Sequence, residues 1–123
     1  MLESTLLNHI TILKDKYNLT PYQIKQLSLQ LKYWKKNHRV YPGLIKSKLG
    51  IDIKNTYSIL EYFRSANILE RNFELYCSKC HKFKGKVVRA LNDIPEDCSC
   101  DFCDSTFDPL KDTIVIYRVI SNE

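Results

Sequence analysis

Cys77-Ser78-Lys79-Cys80 is followed, after a loop of nineteen residues, by Cys100-Asp101-Phe102-Cys103. Each C-x-x-C pair turns tightly enough to aim two sulfurs at one ion, and two such pairs at this spacing predict one tetrahedral metal site. Thiolates suit a borderline-soft cation, so the expected ion is Zn2+, one per chain. Four sulfurs close the coordination sphere and leave no position for water or substrate, so the expected role is structural. An iron–sulfur cluster takes the same four thiolates, and spacing alone does not separate the two. Free buried thiols do not account for paired spacing, and a redox C-x-x-C has no use for a second pair. Cys98 is the fifth cysteine. Both Cys98 and Cys100 precede Cys103, but only Cys100 leaves a two-residue spacer, which makes Cys98 the spare. His81 and Asp104 each follow a pair directly, where knuckle turns need a residue that tolerates positive φ.

Outside the cysteines the sequence reads as one or two small domains in 123 residues, without a membrane-length apolar run. The start, Met1-Leu2-Glu3-Ser4-Thr5, has neither the basic end nor the apolar run of a signal peptide, so a cytoplasmic, reducing location is expected and disulfides are not. The formal net charge is +5. Residues 1–76 hold most of the excess, 79–89 are basic, and 93–112 are acidic. That asymmetry permits contact with nucleic acid through one face, while scattered lysines also make an ordinary solvated surface.

Leu2, Leu6, Ile10, Leu13 and Tyr17 recur at helical spacing and predict a helix over 2–17. Thr20-Pro21-Tyr22-Gln23 is a capping box with proline at the first helical position, opening a helix over about 21–37 with Ile24, Leu27, Leu31 and Trp34 inward. Lys32, Lys35, Lys36, His38 and Arg39 crowd its end, where cations favour the helix dipole. A short helix follows Tyr41-Pro42-Gly43, with Leu44, Ile45 and Leu49 inward and Gly50 as its stop. Ile51 is expected to plug the core, and Asp52 to cap a second helix reaching Ser65 with Thr56, Leu60 and Phe63 buried. Ala66-Asn67 is a turn, and Ile68–Arg71 and Phe73–Tyr76 around Asn72 predict a small β-hairpin.

Helix, tight turn, helix and hairpin resemble the winged helix-turn-helix superfamily. The residues that carry the likeness are Leu44 to Asp52, Thr56, Leu60, Phe63 and Asn67-Ile68-Leu69-Glu70-Arg71. Residues 77–123, with strands expected at Phe83–Leu91 and Thr113–Ile120, resemble a zinc ribbon. The expected fold class is therefore α+β: a helical winged-helix domain over 1–76 and a β ribbon over 77–123. That order is similar to the transcription factor E family. The resemblance implies duplex DNA as a partner, met by Lys46, Lys48, Lys54, Asn55, Tyr57, Ser58 and Arg71. Against it, the presented helix also carries Ile53 and Glu61. A protein adaptor docking through the same surfaces is the competing reading, because fold does not fix function. The extra N-terminal helix implies a possible homodimer contact in that superfamily, or simply one more helix packed on the core. No Gly-rich phosphate loop, H-E-x-x-H motif or catalytic acid pair is visible, so an enzyme is not expected.

Overall fold

The structure is a computed structural model that describes residues 3–95 and 98–121. Leu2 of the N-terminal stripe, and Glu96 and Asp97 of the acidic stretch, lie outside the described residues. The fold is mixed α+β. Its elements are α1 Glu3–Tyr17, α2 Pro21–Lys32, β1 Arg39–Val40, α3 Pro42–Leu49, α4 Ile53–Ser65, β2 Leu69–Tyr76, β3 Phe83–Val88 and β4 Thr113–Val119. The strands neighbour one another in the order β1-β4-β2-β3. The chain forms two compact units. One comprises the residues up to Glu70 and those from Tyr117 on; the other is Arg71–Ile116.

Local chemistry sets the helix boundaries of the first unit. Thr20 Oγ1 accepts from the Gln23 amide at 3.2 Å, and Gln23 Oε1 accepts from the Thr20 amide at 2.9 Å, completing the capping box. Gly50 closes α3 with φ 64° and donates to Lys46 O at 2.9 Å. Asp52 Oδ1 accepts from the Asn55 amide at 2.8 Å and opens α4. Asn67 makes the following turn at φ 60°.

Helix α2 ends five residues before the expected 37. Asn37 turns the chain at φ 74°, and Arg39 and Val40 pair antiparallel with Arg118 and Tyr117 of β4. That pairing claims the backbone that the helical pattern assigned to α2. Of the cations expected to favour the α2 dipole, only Lys32 lies in its last turn. Trp34 remains buried although it lies outside the helix.

The core of this unit differs in two positions from the expected one. Leu44 is 48% exposed and Ile51 is half-buried, whereas Ile45, Leu49, Ile59, Leu60, Phe63 and Ile68 are buried. The reason is helical phase: Ile45 and Leu49 stand four apart on one face, and Leu44 lies about 100° from Ile45. Helix α1 packs on α2 and sinks Ile10 and Leu13 into the interior.

The predicted hairpin around Asn72 does not form. β2 is one continuous strand, with Asn72 inside it and only 2% exposed. In the second unit Phe73, Glu74 and Tyr76 instead pair antiparallel with Val88, Val87 and Phe83 of β3. A lone Asn lacks the positive-φ pair that a tight hairpin needs, and the longer-range partner wins. Beneath these strands lies a small apolar cluster: Leu75, Cys77, Val88, Ile94, Cys98, Cys100 and Phe107.

Candidate metal centre and basic surface

The two knuckles are built alike. The His81 amide donates to Cys77 O at 2.8 Å and the Asp104 amide to Cys100 O at 3.0 Å. The Cys77 amide donates to Lys82 O at 2.9 Å and the Cys100 amide to Ser105 O at 2.8 Å. His81 and Asp104 hold the same left-handed conformation, φ 60° and 58°. Backbone donors also point at sulfur: Cys80 N to Cys77 Sγ at 3.5 Å, and Phe102 N to Cys100 Sγ at 3.4 Å. Each knuckle thus wraps its first cysteine in the same way and delivers two sulfurs to one side.

The four sulfurs of Cys77, Cys80, Cys100 and Cys103 all lie within 4.8 Å of one another. Cys77 and Cys103 are 3.6 Å apart, and Cys80 and Cys100 3.4 Å apart. A tetrahedron with metal–sulfur bonds of about 2.3 Å requires sulfur–sulfur separations of about 3.8 Å. A disulfide requires about 2.0 Å. The donor set therefore fits a single four-coordinate metal ion. Cys98 stays out of it, buried in the apolar cluster, where its carbonyl accepts from Phe107 N at 2.9 Å. Without an ion the thiols are unequal. Burial, and then the hydrogen bond with Cys100, push Cys80 up to about 12; the Ser105 hydroxyl and then its amide bring Cys103 down to about 6.

Two further residues brace the knuckles, and neither was found from sequence. Asp112 is 6% exposed. Its Oδ1 accepts from the Ser78 amide at 2.9 Å and the Ser78 hydroxyl at 2.7 Å, while Oδ2 accepts from the Asp108 amide at 2.7 Å. Burial works to raise its pKa, but the hydrogen bonds from Asp108 and Ser78 outweigh it, so the carboxyl lies below its ordinary value. Lys84 Nζ bridges from β3 to the second knuckle, donating to Ser99 O at 2.8 Å and Asp101 Oδ1 at 2.9 Å. No spacing rule ties Asp112 to a cysteine pair, so sequence offered no signal for it.

A depressed carboxylate stabilises the fold above its unfolded pKa, and that stability is lost as pH falls through the lowered folded value. Asp112→Asn keeps one acceptor oxygen but turns an N–H toward a buried donor. It is expected to cost about 1–3 kcal/mol at neutral pH. It is also expected to flatten the loss of stability below about pH 4. Urea melts of both proteins across pH check this; parallel pH profiles would show that Asp112 carries no such linkage.

The residues expected to meet DNA fall in both units. Lys46 and Lys48 lie on α3, and Lys54, Asn55, Tyr57 and Ser58 on α4, all in the first unit; Arg71 belongs to the second. Lys46, Lys48, Lys54 and Asn55 are exposed, while Tyr57 and Ser58 are half-buried. Ser58 Oγ donates to Lys54 O at 3.0 Å. Farther along α4, Glu61 pairs with Arg64 and accepts from the Tyr117 hydroxyl at 3.1 Å. Ser58, Glu61, Tyr62 and Ser65 face Lys16 and Tyr17 of α1 across a shallow groove of about 360 Å³. Helix α1 therefore flanks the presented face of α4 and leaves its first turn the most open. His9, which has no evident partner in the sequence, meets the Tyr62 hydroxyl at 2.6 Å through Nδ1, and burial lowers its pKa.

The first unit carries twelve Lys and Arg against six Asp and Glu, and the second seven against eight. All nine lysines of the first unit are exposed, and none forms an ion pair among the described residues. Three of its six acids are engaged within the fold: Asp52 caps α4, Glu61 holds Arg64 and Tyr117, and Glu70 pairs with Arg118 at 3.1 Å. No protein-family model, curated protein or solved structure matches the chain.

Proposed function

We propose that the protein is a non-enzymatic, zinc-stabilised module that associates with duplex DNA through the basic surface of its first unit. The observation that carries this reading is the set of nine exposed lysines without ion-pair partners among the described residues, in a unit where Asp52, Glu61 and Glu70 are engaged within the fold. Uncompensated lysines attract the phosphate backbone by releasing its counterions, and they need no sequence-reading pocket. Lys46 and Lys48 on α3 and Lys54 at the start of α4 meet phosphates, and Asn55, exposed in the first turn of α4, reads adenine. Zinc at Cys77, Cys80, Cys100 and Cys103 shapes the second unit and takes no part in chemistry, since four thiolates fill its coordination sphere.

The test titrates labelled random duplex at two salt concentrations with the wild type and with Lys46→Ala, Lys48→Ala and Lys54→Ala. Each lysine change is expected to weaken binding across all sequences and to reduce the salt slope by about one unit. Asn55→Ala is expected to change sequence preference instead. Absence of binding at low salt, or binding indifferent to all three lysines, overturns the proposal in favour of a protein adaptor.

A further inference from the structure

Helix α2 carries a stripe of large side chains that the fold leaves uncovered. At about 100° per residue, Tyr22, Gln26, Leu29 and Tyr33 fall within an arc of roughly 60°. They stand opposite Leu27 and Leu31, which are buried. Tyr33 is the C-cap but keeps near-helical φ −88° and ψ −6°, so the stripe runs through it. Tyr22 is 62% exposed, Leu29 38% and Tyr33 68%. Single exposed apolar residues are ordinary on any surface. Three large ones aligned over about 16 Å of one helix face are not scattered. Tyrosines with a wet hydroxyl and an apolar ring are also enriched at protein interfaces.

Charge decides the occupant. Lys25 and Lys32 line one flank of the stripe, and Lys35 and Lys36 follow Tyr33; all four are exposed and unpaired among the described residues. Between Asp15 and Asp52 the sequence contains no acid. A second copy meeting it through this same face would therefore bring lysines with no carboxylate to meet them. A nucleic acid would find the lysines but would leave Leu29, at the centre of the stripe, against phosphate or sugar. We infer that this face of α2 docks an acidic amphipathic helix of another protein. The partner's apolar side chains, at helical spacing, cover Tyr22, Leu29 and Tyr33, and its flanking Asp or Glu meet Lys25 and Lys32.

The inference concerns α2 rather than the α3 and α4 positions Lys46, Lys48, Lys54 and Asn55 proposed to meet duplex, and its test is separate. A benzophenone amino acid replaces Tyr33 in the full chain, expressed in the native host, with Lys14 as an exposed control position. After irradiation, adducts are identified by mass spectrometry. The expected adduct is a protein segment with apolar residues at helical spacing flanked by Asp or Glu. It should fall at least tenfold with Leu29→Gln, while circular dichroism and the duplex titration stay unchanged. An adduct with nucleic acid, with a second copy, or with a segment lacking acids overturns the inference. So does an adduct insensitive to Leu29→Gln, or none above the Lys14 control.

Discussion

Chelating the bound ion, or changing Cys100 to Ser, is expected to unfold the second unit, while Cys98→Ser leaves metal and fold in place. The apolar cluster of that unit holds seven buried residues, two of which, Cys77 and Cys100, are themselves candidate ligands. A core of that size does not repay the ordering of the chain around it. On the proposed reading, the binding free energy of a four-thiolate zinc, about 10–16 kcal/mol at neutral pH in small zinc-dependent folds, makes up the difference. Losing Cys100 also leaves its three neighbours, all within 4.8 Å of one another, with no cation to share. Cys98 packs in the apolar cluster but lies outside the four-sulfur donor set, and a serine there loses only modest apolar burial. Metal analysis of the purified protein should give one zinc per chain, and acidification should release it, because protons compete for thiolates. Finding no zinc, or losing it with Cys98→Ser but not with Cys100→Ser, would overturn the ligand assignment.

The knuckles were legible because everything that makes them is local. Two residues between cysteines set the ligand geometry, and the residues following each pair, His81 and Asp104, take the positive φ that the turn needs. The same holds for the capping box at Thr20, the stop at Gly50, the cap at Asp52 and the turn at Asn67, each decided within four residues. What escaped was decided far away in sequence. Arg39–Val40 is a strand only because Tyr117 and Arg118 lie beside it. Phe73–Tyr76 pairs with Phe83–Val88 rather than folding back across Asn72. Asp112 joins the metal centre through Ser78, thirty-four positions away. Periodicity also overextended: Trp34 continues the apolar stripe of α2 and is buried, yet the helix stops before it. Burial and helix membership are different properties, and a 3.6-residue pattern reports the first and not the second.

Phase is what the second large effect tests. The sequence placed Leu44 and Phe63 in one hydrophobic centre, and the structure separates them. Phe63 is 0% exposed and sits among three rings, with Trp34 at 5.1 Å, Tyr62 at 5.3 Å and His9 at 5.6 Å between centroids, all near edge-to-face. Such pairs add to the burial itself. Removing the ring leaves a cavity that α4 cannot close, because Ile59 and Leu60 on the same helix are already fully buried. Phe63→Ala is therefore expected to cost about 3–5 kcal/mol, a large share of the stability of a unit this small. The thermal midpoint should fall by roughly 15 °C or more. Leu44→Ala removes a side chain that is 48% exposed, and its expected cost is within about 0.5 kcal/mol. Urea and thermal melts of the two variants, with metal retained in both, give the comparison. Equal costs would place Leu44 back in the core; an unchanged melt for Phe63→Ala would mean that α4 turns a different face inward.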